Sequence, residues 1–229
     1  MVRKVLAIYN ALCENLGTLE ELFVNDKYTI EKVYAVAEEL PVNIDKYSGI
    51  IILGGPMSVY DNLQYIQKEI ELIKKAIEKD ILIIGICLGS QIIAKSIGGN
   101  VFNGDFKEIG WKKISITEEG SREIFKGIEK ENIDVFQWHG DTFTLPSSAT
   151  ILSKSEQYIQ AFKIKKAIGI QFHCEVNEQM IEEFVNEYKE ELANENIHPN
   201  SLLVHDTRKI KDLRNICLQL YHNIKTELE

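Results

Sequence analysis

From its amino terminus the chain alternates short apolar runs with segments whose apolar residues recur every three or four positions. Residues 5–9 predict a first buried strand, 16–24 a helix, and 30–36 a second strand that Glu38-Glu39-Leu40-Pro41 breaks off. Residues 49–53 form a third strand, stopped by Gly54-Gly55-Pro56. Leu63, Ile66, Ile70, Ile73 and Ile77 then predict an amphipathic helix opening near Asp61. The run Ile81-Leu82-Ile83-Ile84 is apolar at every position, as a strand covered on both faces must be. Ile92, Ile93 and Ile97 set a helix directly behind it. Buried strands alternating with helices imply a mostly parallel sheet with helices on both faces and right-handed crossovers.

Past Gly99 the pattern changes. Residues 100–102, 110–117 and 135–138 read as strands separated by turns, as do 150–153, 158–163 and 167–172, so antiparallel ribbons are expected beside the parallel core. From Asn177 the helical period returns, with Met180, Ile181, Phe184, Val185 and Tyr188 on one face. A last amphipathic helix carries Leu213, Ile216, Cys217, Leu220, Tyr221 and Ile224. No repeat, low-complexity tract or Gly/Ser linker interrupts the chain. The reading is therefore one α/β domain over 1–195, with a helical extension over 196–229 packed on it.

Composition narrows the function classes. With 229 residues, 45% of them hydrophobic, the chain can bury one good-sized core. A formal net charge of -9 argues against nucleic acid or an anionic membrane surface as partner. No apolar run approaches bilayer length, and the start Met1-Val2-Arg3-Lys4-Val5-Leu6-Ala7-Ile8-Tyr9-Asn10 is too short in its apolar part for a signal peptide. The four cysteines (Cys13, Cys87, Cys174, Cys217) stand far apart with no C-x-x-C pair. That usage suits free thiols in a reducing cytoplasm and gives no support to a structural zinc site.

One stretch carries chemistry. In Gly85-Ile86-Cys87-Leu88-Gly89 small residues flank a cysteine by two on each side, where a buried strand passes into a helix. This is the spacing of a nucleophile elbow, a turn too tight for nearby Cβ atoms. It puts Cys87 at the tip of the sheet and at a helix N-terminus, where backbone N–H groups and the helix dipole favour thiolate. Gly54-Gly55 also ends a strand, so both turns are expected to face one cleft. A thiolate needs a proton partner, and Gln171-Phe172-His173-Cys174-Glu175 supplies one at the end of another buried strand. Residues two apart in an extended chain project to the same side, so Glu175 can orient the His173 imidazole.

Four segments occur together and in order: Gly54-Gly55-Pro56-Met57-Ser58, Gly85-Ile86-Cys87-Leu88-Gly89-Ser90-Gln91, Trp138-His139-Gly140-Asp141 and Gln171-Phe172-His173-Cys174-Glu175. On these the chain resembles the class I (triad) glutamine amidotransferases over roughly residues 3–190. Trp138-His139-Gly140-Asp141-Thr142 and Lys107-Glu108-Ile109-Gly110-Trp111 look most like free-standing members similar to the glutaminase domain of GMP synthetase. The resemblance implies a flavodoxin-like fold and, position by position, a set of roles. Cys87 attacks the γ-carboxamide of glutamine, the amides of Gly55 and Leu88 form the oxyanion hole, and His173 moves the proton while Glu175 holds its tautomer. Gln91, Trp138, Gly140 and Asp141 hold the α-amino and α-carboxylate ends. No metal or cofactor is implied. The family usually has proline where this chain has Cys174. Cys174 is expected to point away from the cleft and to leave the Glu175 geometry looser than a proline would.

The chain has no G-x-x-x-x-G-K-[ST] phosphate loop and no Ser-Gly-Gly run, so it cannot activate an ammonia acceptor alone. Two enzyme readings follow: a protein passing ammonia to a separate synthetase, or a free-standing hydrolase of γ-glutamyl amides or peptides. A catalytically silent binding module and another cysteine hydrolase on a similar sheet are the remaining alternatives. Outside the triad, Cys13 and Cys217 read as core cysteines, and His139 reads equally as structural or functional. His198, His205 and His222 read as solvated, and Trp111 and Trp138 as packing residues at the cleft rim. The acidic run 187–195 reads as the wet face of a helix.

Overall fold

In β1 (Lys4–Tyr9) successive side chains enter opposite cores: Val5, Ala7 and Tyr9 one, Leu6 and Ile8 the other. The run is apolar throughout for that reason. The computed structural model describes residues 3–203 and 207–228. It continues with α1 (Thr18–Asn25), β2 (Thr29–Tyr34), β3 (Gly49–Ile52), α2 (Gln64–Glu78), β4 (Leu82–Ile86) and α3 (Leu88–Ser96). The second half holds β5 (Val101–Ile116), α4 (Glu118–Arg122), β6 (Asn132–Phe143), β7 (Thr150–Lys154), β8 (Ile159–Ile164) and β9 (Ala167–Ile170). Three further helices close the chain: α5 (Glu178–Glu187), α6 (Lys189–Asn194) and α7 (Thr207–Ile224).

Among the described residues nine strands join one sheet in the order β2-β1-β3-β4-β9-β8-β7-β5-β6. The pairs from β2 to β9 are parallel and those from β9 to β6 antiparallel. The fold is α/β as expected, and its antiparallel strands extend the same sheet. The placement of β9 matters most for function. Although it is the last strand of the chain, it lies directly beside β4, with Ile83 opposite Ala167 and Ile86 opposite Ile170.

Several boundaries differ from the sequence reading. Residues 100–102 and 110–117 belong to one long strand, β5, whose pairing with β6 is irregular between Asn103 and Glu108. The polar stretch there hides a strand because a bulge suspends the inside-outside alternation without turning the chain. Helix α4, where no helix was expected, is five residues long. It is held by its Thr117 cap, whose hydroxyl accepts from Gly120 N–H at 3.0 Å, and is too short to show a period. Asp61 does not cap α2; its carboxylate accepts from Ser58 N–H at 2.8 Å in the preceding turn.

Helices cover both faces. On one, α1, α5 and α7 contribute Phe23, Phe184 and Leu213; on the other, α2 and α3 contribute Ile66, Ile73 and Ile93. Helix α7 buries Leu213, Cys217 and Leu220 in the same core as β1 and β4. Asp26 at the end of α1 fastens the end of α7, its Oδ2 accepting from Tyr221 Oη at 2.8 Å and Lys225 Nζ at 2.9 Å. His198 and His222 are exposed, and His205 lies outside the described residues. No helix among the described residues is long and apolar enough to cross a membrane.

Because Leu213 is wholly buried between α7 and the sheet core, Leu213→Ala is expected to lower stability by about 2–5 kcal/mol within one cooperative transition. Urea unfolding monitored by circular dichroism measures this. A loss below about 1 kcal/mol would mean that α7 is not part of the core.

Candidate active site

The elbow is built by close backbone contact. Cys87 stands between β4 and α3 at φ 51° and ψ -110°, a conformation that costs an L-residue on the order of 1–3 kcal/mol. A Cβ on Gly89 would lie 2.2 Å from the Ile52 carbonyl oxygen, so only glycine lets α3 start against β3. The Cys87 N–H donates to the Ile170 carbonyl at 2.8 Å, tying the cysteine to β9. Its own carbonyl accepts from Ser90 Oγ at 2.7 Å. The Sγ then reaches the cleft, 3.6 Å from the Trp138 carbonyl oxygen.

Past the end of β9 the chain carries His173 to the same place. The His173 N–H donates to the Phe136 carbonyl at 2.8 Å, and the Glu175 carbonyl accepts from Thr18 N–H at 2.8 Å. Between these anchors His173 Nδ1 meets Glu175 Oε1 at 2.7 Å, and both residues are fully buried. Cys174 lies in the core against Cys217, on the side away from the cleft. The looser geometry expected from the missing proline is not seen, because backbone hydrogen bonds pin the residues on either side of Cys174.

Burial and charge compete at this pair. Burial pushes the Cys87 thiol up, and His173 pulls it only part of the way back. The helix-start preference for thiolate is thus outweighed in the free protein. Burial would press His173 toward neutrality, but the Glu175 carboxylate and Cys87 outweigh it and raise the imidazole well above its ordinary value. The arrangement therefore holds a proton on His173 that a leaving group can take.

The cleft has a volume of about 400 Å³, and Gly55, Cys87, Gln91, Trp138, Gly140 and Asp141 all line it. Leu88, His173 and Glu175 stand behind this wall. A Cβ built on Gly55 would be 3.2 Å from Leu88 Cδ2, so the two expected oxyanion donors are neighbours. Leu88 opens α3, which leaves its N–H without an intrahelical acceptor. Gln91 Nε2 lies 3.4 Å from both the Asp141 carbonyl and Gln171 Oε1. Asp141 Oδ1 accepts from Tyr60 Oη at 2.8 Å. His139 lines the cleft but has both ring nitrogens engaged, with Glu108 Oε2 at 3.1 Å and the Asp141 carbonyl at 3.0 Å. It braces the segment that carries Asp141.

Two expectations need correcting. Trp111 is not at the cleft rim: it packs edge-on to Phe136 at 5.5 Å, with Lys209 over its ring. Glu191 is more than wet helix surface, since its carboxylate lines the cleft and accepts from Trp138 Nε1 at 2.9 Å and Lys107 Nζ at 2.7 Å. The sequence reading also missed Glu14, from the loop after β1. Glu14 Oε1 accepts from Tyr188 Oη at 2.7 Å, while its Oε2 is buried without a partner. A Cβ on Gly54 would overlap that oxygen at 1.8 Å, so the Gly54-Gly55 turn makes room for the carboxylate. Burial raises the Glu14 pKa. Glu14, Cys87 and His173 each present an atom within 4.8 Å of the other two. The one available signal was position, because residues just past a parallel strand's carboxyl end face the ligand cleft.

Comparisons with known proteins agree with this geometry. Residues 12–188 match the model of the family described as glutamine amidotransferase class-I. The glutamine amidotransferase-like protein YfeJ of Salmonella typhimurium is 34% identical over 72% of this chain and 73% of its own length. One component of the glutamine-hydrolyzing GMP synthase of Sulfurisphaera tokodaii, which that organism makes as a separate subunit, is 34% identical over 74% of this chain and 92% of its own length. Longer GMP synthases match over only 24–29% of their length. The crystal structure of a glutamine amidotransferase from Thermotoga maritima, 34% identical, superposes with a TM-score of 0.90 over 100% of this chain and 99% of that one. With its nucleophile elbow beside a buried histidine and glutamate, and with a family match spanning most of its length, this chain belongs to the class I glutamine amidotransferases.

Proposed function

We propose that the protein hydrolyses the γ-amide of glutamine through a thioester on Cys87 and releases ammonia to a separate synthetase. The observation that carries this is His173, buried between Cys87 and Glu175 at the head of a cleft whose wall holds the Gly55 turn. The Cys87 sulfur attacks the amide carbon as its proton leaves, and the N–H groups of Gly55 and Leu88 receive the developing oxyanion. His173 gives a proton to the departing nitrogen, and the C–N bond breaks to free ammonia. Water then attacks the γ-glutamyl thioester, His173 takes its proton, and glutamate leaves with the thiol restored. Gln91, Trp138, Gly140 and Asp141 line the space for the substrate's α-amino and α-carboxylate groups. The similarity to a GMP synthase component supports delivery in trans, since this chain carries no phosphate loop.

A second reading rests on the cleft itself. A volume of about 400 Å³ lies within the range that takes drug-sized ligands. The same triad can then cleave γ-glutamyl peptides, with an amine larger than ammonia leaving.

The two readings separate in one assay. Purified protein is expected to release glutamate from glutamine, with Cys87→Ala lowering turnover on the order of 10⁴-fold or more. Cleavage of γ-glutamyl dipeptides with negligible glutamine hydrolysis would establish the second reading. Failure of Cys87 to be alkylated by a diazoketone analogue of glutamine, with both substrates untouched, would sink both.

Glu175→Gln removes the charge that raises the His173 pKa. We expect kcat to fall by about 10²-fold or more, and the His173 limb of the pH–rate profile to move to lower pH. A limb that stays in place would show that Glu175 does not set the imidazole's protonation. Cys174→Pro is expected to give unchanged or lower turnover, because hydrogen bonds already supply the rigidity; steady-state kinetics showing a gain would contradict that.

A further inference from the structure

The triad leaves one buried group at the reaction centre without a task. Glu14 comes from the loop after β1, Cys87 from the elbow and His173 from the chain beyond β9, and their ligating atoms lie within 4.8 Å of one another. Glu14 Oε2 and His173 Nε2 are buried with no hydrogen-bond partner, and the Cys87 Sγ has only a long contact to a carbonyl. A carboxylate oxygen, an imidazole nitrogen and a sulfur thus converge with their lone pairs unused.

We propose that Glu14, Cys87 and His173 form a binding site for a divalent zinc ion, which occupies the nucleophile and switches it off. The donor set selects the metal. Sulfur and imidazole disfavour magnesium and calcium, which take oxygen ligands, and suit zinc. Zinc bond lengths of about 2.0–2.3 Å place tetrahedral ligands about 3.3–3.8 Å apart. Atoms now within 4.8 Å reach that spacing by side-chain rotations of about 1 Å or less each.

The groups behind the ligands are already in place. His173 presents its other ring nitrogen to the Glu175 carboxylate at 2.7 Å, the carboxylate–histidine arrangement that fixes a zinc ligand's tautomer. The other oxygen of Glu14 accepts from Tyr188 Oη at 2.7 Å, which orients the carboxylate toward the cluster. Glu14 and Cys87 both line the cleft, so the ion has a path in and the fourth position stays open to water. No bond is made or broken beyond coordination: the ion displaces the thiol proton and draws on the sulfur lone pair that catalysis would use. The site does not depend on which γ-glutamyl substrate the enzyme takes. The expectation of no metal followed histidine spacing along the sequence, and these ligands come from three separate segments.

Cobalt titration of the reduced, metal-free full-length protein tests the proposal. One equivalent of cobalt is expected to give a thiolate-to-metal absorption band that zinc abolishes by displacement and Cys87→Ser removes. Zinc is also expected to protect Cys87 from iodoacetamide, with a chelator restoring alkylation. Glu14→Gln, which keeps the side chain's shape, is expected to weaken binding by at least about tenfold, and Tyr188→Phe by about tenfold through the lost orienting bond. Circular dichroism shows whether each variant folds; if Glu14→Gln does not, Tyr188→Phe decides. A band that survives Cys87→Ser, wild-type affinity in a folded Glu14→Gln, or no band at all would each overturn the proposal.

Discussion

The hydrogen bond from the Cys87 N–H to the Ile170 carbonyl holds the site together, because it joins two strands that are neighbours in space only. The elbow supplies a sulfur and the end of β9 supplies an imidazole, and neither does chemistry alone. The parallel β4–β9 ladder sets their separation, and the bond at its end fixes the height of the cysteine relative to the histidine. The Phe136–His173 bridge then sets the imidazole from the other side, so both halves of the mixed sheet act on it.

Burial gives this pair its character. In water a helix start and a neighbouring imidazole would ease the thiol toward thiolate. Here the dry surroundings outweigh them for Cys87, while the Glu175 carboxylate keeps His173 protonated. The free enzyme therefore holds its nucleophile in reserve, and contacts that arrive with a substrate must tip the balance. The same dryness explains why a glutamate can sit beside the sulfur, since only a close pocket with glycine at position 54 accommodates it.

What could be read in the sequence was local. Gly85 to Gly89 and His173-x-Glu175 are short patterns whose geometry follows from a turn and from the two-residue period of a strand. The parallel core could be read because strands covered on both faces are apolar without interruption. Glu14 and Glu191 could not, since each is one acidic residue among many, and its role comes from which loop the fold lays over the cleft. Strand β5 was split in two because its bulge suspends the alternation that marks a strand. Trp111 was misplaced for a similar reason: a tryptophan near the motifs in sequence lies away from the cleft, packed against Phe136.

The position of β9 also bears on how the enzyme comes into being. As the chain leaves the ribosome, β1 to β4 and the elbow emerge first, but the strand that seats beside β4 follows about eighty residues later. Until it inserts, Cys87 has neither its backbone anchor nor its imidazole, and its sulfur is an ordinary thiol. Closing so long a loop is a late and slow event in folding. Reactivity therefore appears together with the finished sheet, and a truncated or half-folded copy cannot hydrolyse substrate.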